Sequence, residues 1–189
     1  TTQIRQAAID EFEGFDALRK HIKRIRQHSL NNLAHYLEKF EQEAVQNGNH
    51  VHFASDGAQL NDIVLDICQR HGAKKVIKGK SMITEETGLN GFLERGNLDV
   101  VETDLGEYII QLAGEAPSHI VGPALHKSAD EIGELFLTNH NLGDRAFEET
   151  ENLVDEARSV LREHFLKADV GIIGSNALIA ENGYSMLVT

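Results

Sequence analysis

The 189-residue sequence has one cysteine, two prolines, three tyrosines and no tryptophan. With Cys68 alone there can be no internal disulfide, and one thiol cannot hold a zinc or iron–sulfur site, which takes about four ligands. Cys68 follows Ile63-Val64-Leu65-Asp66-Ile67 on an apolar helix side and reads as a packed core residue. No apolar run approaches the roughly 20 residues of a membrane helix, so no membrane span is expected. The opening residues show no basic-then-apolar signal pattern, and with the lone thiol this leads us to expect a cytoplasmic setting. Basic residues are also scarce. Eighteen Lys and Arg against 30 Asp and Glu give a formal net charge of −12, which argues against nucleic acid as a partner, because phosphate contacts need a basic surface. Ten histidines are scattered without metal-ligand spacing, so no metal site is expected. Repeats, low-complexity tracts and proline-rich linkers are missing too. What remains, 41% hydrophobic and 25% charged residues, is an ordinary globular composition.

Periodicity divides the chain at residue 48. Phe15, Leu18, Ile22 and Ile25 recur at helical spacing, and Leu30, Leu33, Leu37, Phe40 and Ala44 resume it after a phase slip. Residues 1–48 are therefore predicted to form a helical arm ending near Gly48. Its basic run, Arg19-Lys20-His21-Ile22-Lys23-Arg24-Ile25-Arg26, reads as a solvated face or as a docking face for an acidic partner subunit. Residues 49–189 alternate strand with helix. Strands are predicted at His50–Ala54, Lys75–Lys78, Leu98–Glu102, His119–Gly122, Val170–Ile173 and Met186–Val188. Helices are predicted at Gly57–His71, Thr84–Arg95, Glu107–Ala113, from the Ser128–Glu131 capping box onward, and at Phe147–Lys167. Mostly apolar strands alternating with helices point to an α/β fold with a mainly parallel sheet flanked by helices. The apolar ending Leu187-Val188-Thr189 leads us to expect a domain truncated at its C-terminal end.

Ligands of an open parallel sheet bind beyond the carboxyl ends of its strands, and polar clusters follow the strands here. After the second predicted strand come Lys78-Gly79-Lys80-Ser81, where Ser81 or Thr84 can cap the next helix and Glu85 lies in its first turn. Lys78 and Lys80 with that helix start are candidates for holding a small anion. A phosphate loop is excluded, because Lys74 stands where the motif needs glycine. After the third strand, Asp104 and Glu107 make a capping-box-like pair, and Gly106 inside the helix suggests a close backbone approach. After the fourth, His126 and Lys127 can meet a carboxylate or phosphate. The last cluster surrounds a Gly174-Ser175-Asn176 turn between two short strands, and places Glu181 before an Asn-Gly turn, where a carboxylate can act as nucleophile or ligand contact. Gly174 and Asn176 join the candidate ligand-binding residues, and Glu181 is the candidate catalytic one.

Together, Lys78 through Glu86, Glu102 through Ile109, and Pro117 through Val121 with Pro123 through Lys127 resemble the LUD domain, and most closely the lactate-utilisation protein B family. The resemblance runs along nearly the whole chain. It implies a fold like that of the NagB, ribose-5-phosphate isomerase and CoA-transferase group. It further implies L-lactate oxidation to pyruvate with two sister subunits and electron transfer through four-iron four-sulfur clusters. Family members continue past the position of Thr189 into a cysteine-rich region, so clusters are expected only if such a region exists, and no cofactor is expected in this chain. Family members usually carry Glu-Thr-Gly where this chain has Glu181-Asn182-Gly183. Ala180-Glu181-Asn182-Gly183 is instead similar to the Ser-Glu-Asn-Gly signature of CoA-transferases, whose glutamate forms a thioester with acyl-CoA. That leaves CoA transfer through Glu181, or a non-catalytic ligand-binding or assembly module, as alternatives.

Overall fold

The phase slip in the N-terminal pattern is a helix boundary. In the computed structural model, which describes residues 2–116, 122–141 and 150–188, helices α1 (Thr2–Glu11), α2 (Phe15–Asn31) and α3 (Leu33–Gln46) follow one another. Gly14 adopts the left-handed conformation before α2. Asn32 closes α2 by donating its backbone N–H to the His28 carbonyl, while its own carbonyl accepts from Tyr36 to start α3. Gly48, at φ +82°, ends the arm as glycine does best.

The chain forms two compact units, one of Thr1–Val51 with Asn176–Val188 and the other of His52–Ser175. In the first, α3 is accompanied by an antiparallel hairpin of β4 (Ala177–Ile179) and β5 (Tyr184–Met186). Asn47 Nδ2 donates to the Asn182 carbonyl at 2.7 Å, and Gly183 lies against the Ala44 backbone so closely that no Cβ fits.

The second unit contains α4 (Gly57–Arg70), β1 (Lys75–Gly79), α5 (Met82–Glu86), α6 (Leu89–Arg95), β2 (Asp99–Glu102), α7 (Leu105–Ala113), α8 (Ala129–Asn139), α9 (Thr150–Lys167) and β3 (Val170–Ile173). The strands form a parallel sheet in the order β2-β1-β3. Its fold is therefore α/β, with the sheet covered on both faces. The period-2 geometry of strands divides the core. Val76 and Val100 pack with Cys68, Leu89, Leu93 and Leu98 on one face. Ile77 and Val101 pack with Tyr108, Ile109, Phe136, Leu153 and Leu161 on the other. Among the described residues no helix is long and apolar enough to cross a membrane.

Local signals are realised where they concern neighbours in sequence. Asp56 caps α4 by accepting from Gln59 N–H, and Ser128 with Glu131 forms the full capping box of α8. Gly106 makes the expected close approach, since a Cβ there would lie 2.5 Å from Pro123 Cγ.

Four expectations need correction. His50–Ala54 forms no strand, because it finds no ladder partner among the described residues. The single helix expected at Thr84–Arg95 is two, broken where Gly88 takes φ +64° and Asn61 Nδ2 binds the Thr87 carbonyl at 2.8 Å. Gly174-Ser175-Asn176 turns no hairpin, because the strands on either side belong to different sheets. The expected strand at Met186–Val188 lies two residues earlier, in the β4–β5 hairpin rather than the parallel sheet. The fourth predicted strand, His119–Gly122, lies outside the described residues except for Gly122, which is in neither helix nor strand.

Gly174 sits against the Lys80 carbonyl, where a Cβ would overlap the backbone. Gly174→Ala is expected to lower the unfolding free energy by about 1–3 kcal/mol, the usual cost of overpacking, as measured by urea denaturation.

Candidate functional site

Lys78 and Glu102 occupy the same register position near the carboxyl ends of β1 and β2. Residues of that parity point to the face covered by α4 and α6, so both side chains are carried inward. Lys78 is 1% exposed. A buried ammonium must be paired, and Glu102 Oε1 lies 2.8 Å from Nζ, with Glu85 of α5 at 3.9 Å. Asn90 Nδ2 donates to Glu102 Oε1 at 2.6 Å. The Gln111 amide bridges the backbone of β2, accepting from Glu102 N–H and donating to the Val100 carbonyl.

Two residues on, the β1–α5 turn is held by a second pair. Lys80 takes a left-handed φ of +58°, and its backbone N–H donates to Asp104 Oδ2 at 2.6 Å while Nζ meets Oδ1 at 2.5 Å. That hydrogen bond to Asp104 raises the Lys80 pKa. Gly79 lies under Thr103, whose hydroxyl donates to the Lys78 carbonyl; a Cβ at Gly79 would come within 2.8 Å of that oxygen.

The capping roles expected here are not realised. Asp104 stands at the N-cap of α7 without a side-chain cap bond, because both of its oxygens serve Lys80. Ser81 likewise makes no side-chain cap bond to α5, and the Thr84 hydroxyl donates back to the Ser81 carbonyl.

Beside these pairs lies a cavity of about 310 Å³, lined in part by Thr84, Glu85, Asn90, Glu102, Glu107 and Glu115. Burial, reinforced by the charges of Asp104, Glu85 and Glu102, pushes the Glu107 carboxyl above its usual range. Glu115 is bracketed by His126 Nε2 at 2.8 Å and by Lys127 Nζ, and these hydrogen bonds hold its pKa low. The structure thus gathers Thr84, Glu85 and Glu107 around one cavity, while Lys78 does not line it but pairs with the lining residues Glu102 and Glu85. It places Lys80, Ser81 and Asp104 at the strand ends, and it brings His126 and Lys127 to Glu115 on the cavity wall. Gly174 adjoins Lys80. Asn176 closes the β4–β5 hairpin, its Oδ1 accepting from Val188 N–H, and Glu181 is an exposed residue of that hairpin's turn.

Glu102, Asn90, Gln111 and Glu115 were not singled out from the sequence. Glu102 had a readable signal, a charge at the end of an apolar strand in the position equivalent to Lys78. Glu115, one residue past the Gly114 helix end, had none. A further buried group also went unread. The Tyr108 hydroxyl meets His140 Nε2 at 2.8 Å, and His140 Nδ1 lies 3.2 Å from Glu156 Oε1, beside a cavity of about 600 Å³. Burial and the Glu156 charge push the Tyr108 pKa up to about 12. Among the described residues, no group of three or more His, Cys, Asp and Glu is placed to hold a metal ion.

The family model of the LUD domain matches residues 37–189, which include most of α3, the hairpin and the entire α/β unit. The chain belongs to the LUD domain family. Its relatives include lactate utilization protein B of Bacillus velezensis, 44% identical over 98% of this chain, and lactate utilization protein B of Bacillus subtilis, 42% identical over the same share. An uncharacterized electron transport protein of Escherichia coli, YkgF, is 41% identical, again over 98% of the chain. The LUD chain spans 38–39% of the length of these relatives. No solved structure matches it.

The raised Glu107 pKa has a sign that can be tested. Between the ordinary Glu value of about 4.3 and the higher native one, the native state binds more protons than the unfolded state. Stability therefore falls as pH rises through that window, and the penalty is complete above it. Glu107→Gln is expected to flatten this segment and to stabilise the LUD domain at neutral pH, read as urea unfolding free energy between about pH 4 and pH 8.

Proposed function

We propose that this LUD domain works in an iron–sulfur protein that takes part in oxidising L-lactate to pyruvate and passes the electrons onward within a complex of sister subunits. The supporting observation is the 42–44% identity, over 98% of the chain, to proteins named lactate utilization protein B. The relative named as an electron transport protein supports the same reading. Oxidation of lactate to pyruvate releases two electrons and two protons, so it needs an electron acceptor. The residues of this chain do not fit an iron–sulfur cluster: its one cysteine, Cys68, is buried, and burial raises its thiol pKa. In the proposed protein the clusters belong to cysteines outside these residues.

The LUD domain's part in this reading is to bind and dock. Glu85, Glu94, Glu102, Glu107 and Glu115 line the cavity, and their charge disfavours an anion in its interior. Positive charge stands nearby on Lys80 and Lys127, held by Asp104 and by Glu115, which the His126 ring also meets. A lactate carboxylate gains these cations by competing with those two carboxylates. Charge-assisted hydrogen bonds contribute about 1.5–3 kcal/mol, so losing them weakens binding roughly 10- to 100-fold.

In a preparation joining this domain to its sister subunits, Lys80→Ala with Lys127→Ala is expected to raise KM for lactate about 10-fold or more in dye reduction, with a smaller effect on kcat. The chain alone is expected to reduce no dye. An unchanged KM would refute anion binding by these residues. A mass increase on Glu181 after incubation with acyl-CoA would point to CoA transfer instead.

A further inference from the structure

The cavity beside Glu85, Glu102 and Glu107 is rich in acceptors and short of donors. Five glutamates line it, and an ionised carboxylate only accepts. The lining side chains that can donate have acceptors of their own. The Thr84 hydroxyl gives to the Ser81 carbonyl, Asn90 Nδ2 to Glu102 and Gln111 Nε2 to the Val100 carbonyl. The buried Oδ1 of Asn90 has no donor at all among the described residues.

A cation stands beside this acceptor surface. The Lys80 side chain is 41% exposed, and its Nζ meets Asp104 Oδ1 at 2.5 Å. Asp104 and Glu107 are three residues apart at the start of α7, and the charges of both act on the Lys80 ammonium. Helical neighbours at that spacing lie roughly 5–6 Å apart. A ligand carboxylate that takes the place of Asp104 on Lys80 spans such a distance with the group on its adjacent carbon and one hydrogen bond to Glu107. Substrate and product of an alcohol oxidation differ at that group. The hydroxyl of a 2-hydroxy acid donates, whereas the oxygen of the 2-keto acid only accepts and sets its lone pairs against those of the carboxylate.

We propose that Glu107 is the specificity-determining residue of this site: it accepts the hydroxyl hydrogen of a 2-hydroxy monocarboxylate held at Lys80 and turns away the corresponding 2-keto acid. This role rests on the anion binding proposed above, and it adds the means by which the domain keeps substrate and lets product go.

Titration of the whole chain with L-lactate, propionate and pyruvate, followed by amide proton–nitrogen NMR, tests this, because weak binding of small acids is readable there. The wild type is expected to bind L-lactate at least about 10-fold more tightly than propionate or pyruvate, the effect of one missing hydrogen bond to a charged group. Shifts are expected to centre on Lys80 and on residues 104–107. Lys80→Ala is expected to weaken binding of all three acids. Glu107→Gln, whose amide can donate, is expected to tighten pyruvate binding and to erase most of the preference for lactate. If that variant misfolds, the wild-type preference decides. Equal affinity of the wild type for the three acids, weakened by Lys80→Ala, overturns the role of Glu107 and leaves the anion-binding reading standing. A preference that survives Glu107→Gln, or shifts centred on Glu115 and Lys127, overturns that role as well. Shifts with none of the acids overturn both.

Discussion

The buried ammonium of Lys78 constrains much of what surrounds it. An unpaired charge at the end of a central strand would lose more in desolvation than the sheet could recover, so Glu102 must stand beside it. Parallel pairing of β1 with β2 supplies that carboxylate, because register matches residue 78 with residue 102. Glu102 is in turn fixed by Asn90, and its backbone by Gln111. The ion pair therefore ties together two strands and the helices α6 and α7. This is a device for geometry more than for stability, since buried ion pairs seldom outperform apolar substitutes.

The same arrangement sets the electrostatics of the cavity. Lys78 is neutralised by Glu102 and approached by Glu85, and the Glu107 carboxyl, raised first by its burial, is raised further by the charges of Asp104, Glu85 and Glu102. Positive charge survives at Lys80, held by Asp104, and at Lys127, held by Glu115. In the proposed role, a small anion binds there in competition with Asp104 and Glu115. That geometry suits a domain that positions a small acid for chemistry performed elsewhere, which is the role proposed for it.

Much of the frame was readable from the residues because its determinants are local. The Ser128–Glu131 capping box, the phase slip at Asn32 and the glycine-terminated helices each involve partners within about four residues. Gly106 was readable by exclusion, since glycine in a first helical turn needs a reason, and the Pro123 ring supplies it. Pairing across distance was not readable. Asp104 looks like a helix cap until Lys80 is known to lie beside it. Lys78 looks like an anion ligand until register brings Glu102 alongside. The hairpin strands 177–179 and 184–186 are as apolar as the sheet strands, and composition does not reveal which partner each finds. Glu115 gains meaning only from His126 and Lys127, 11 and 12 residues away.

The central claim is that the Lys78–Glu102 pair organises the site as a unit. A double-mutant cycle with Lys78→Met, Glu102→Leu and the combined variant measures this most directly, from urea unfolding free energies. Each single substitution is expected to cost about 3–5 kcal/mol, and the double variant is expected to be far more stable than their sum allows. Single effects that are small, or that add to within about 0.5 kcal/mol, would contradict the account.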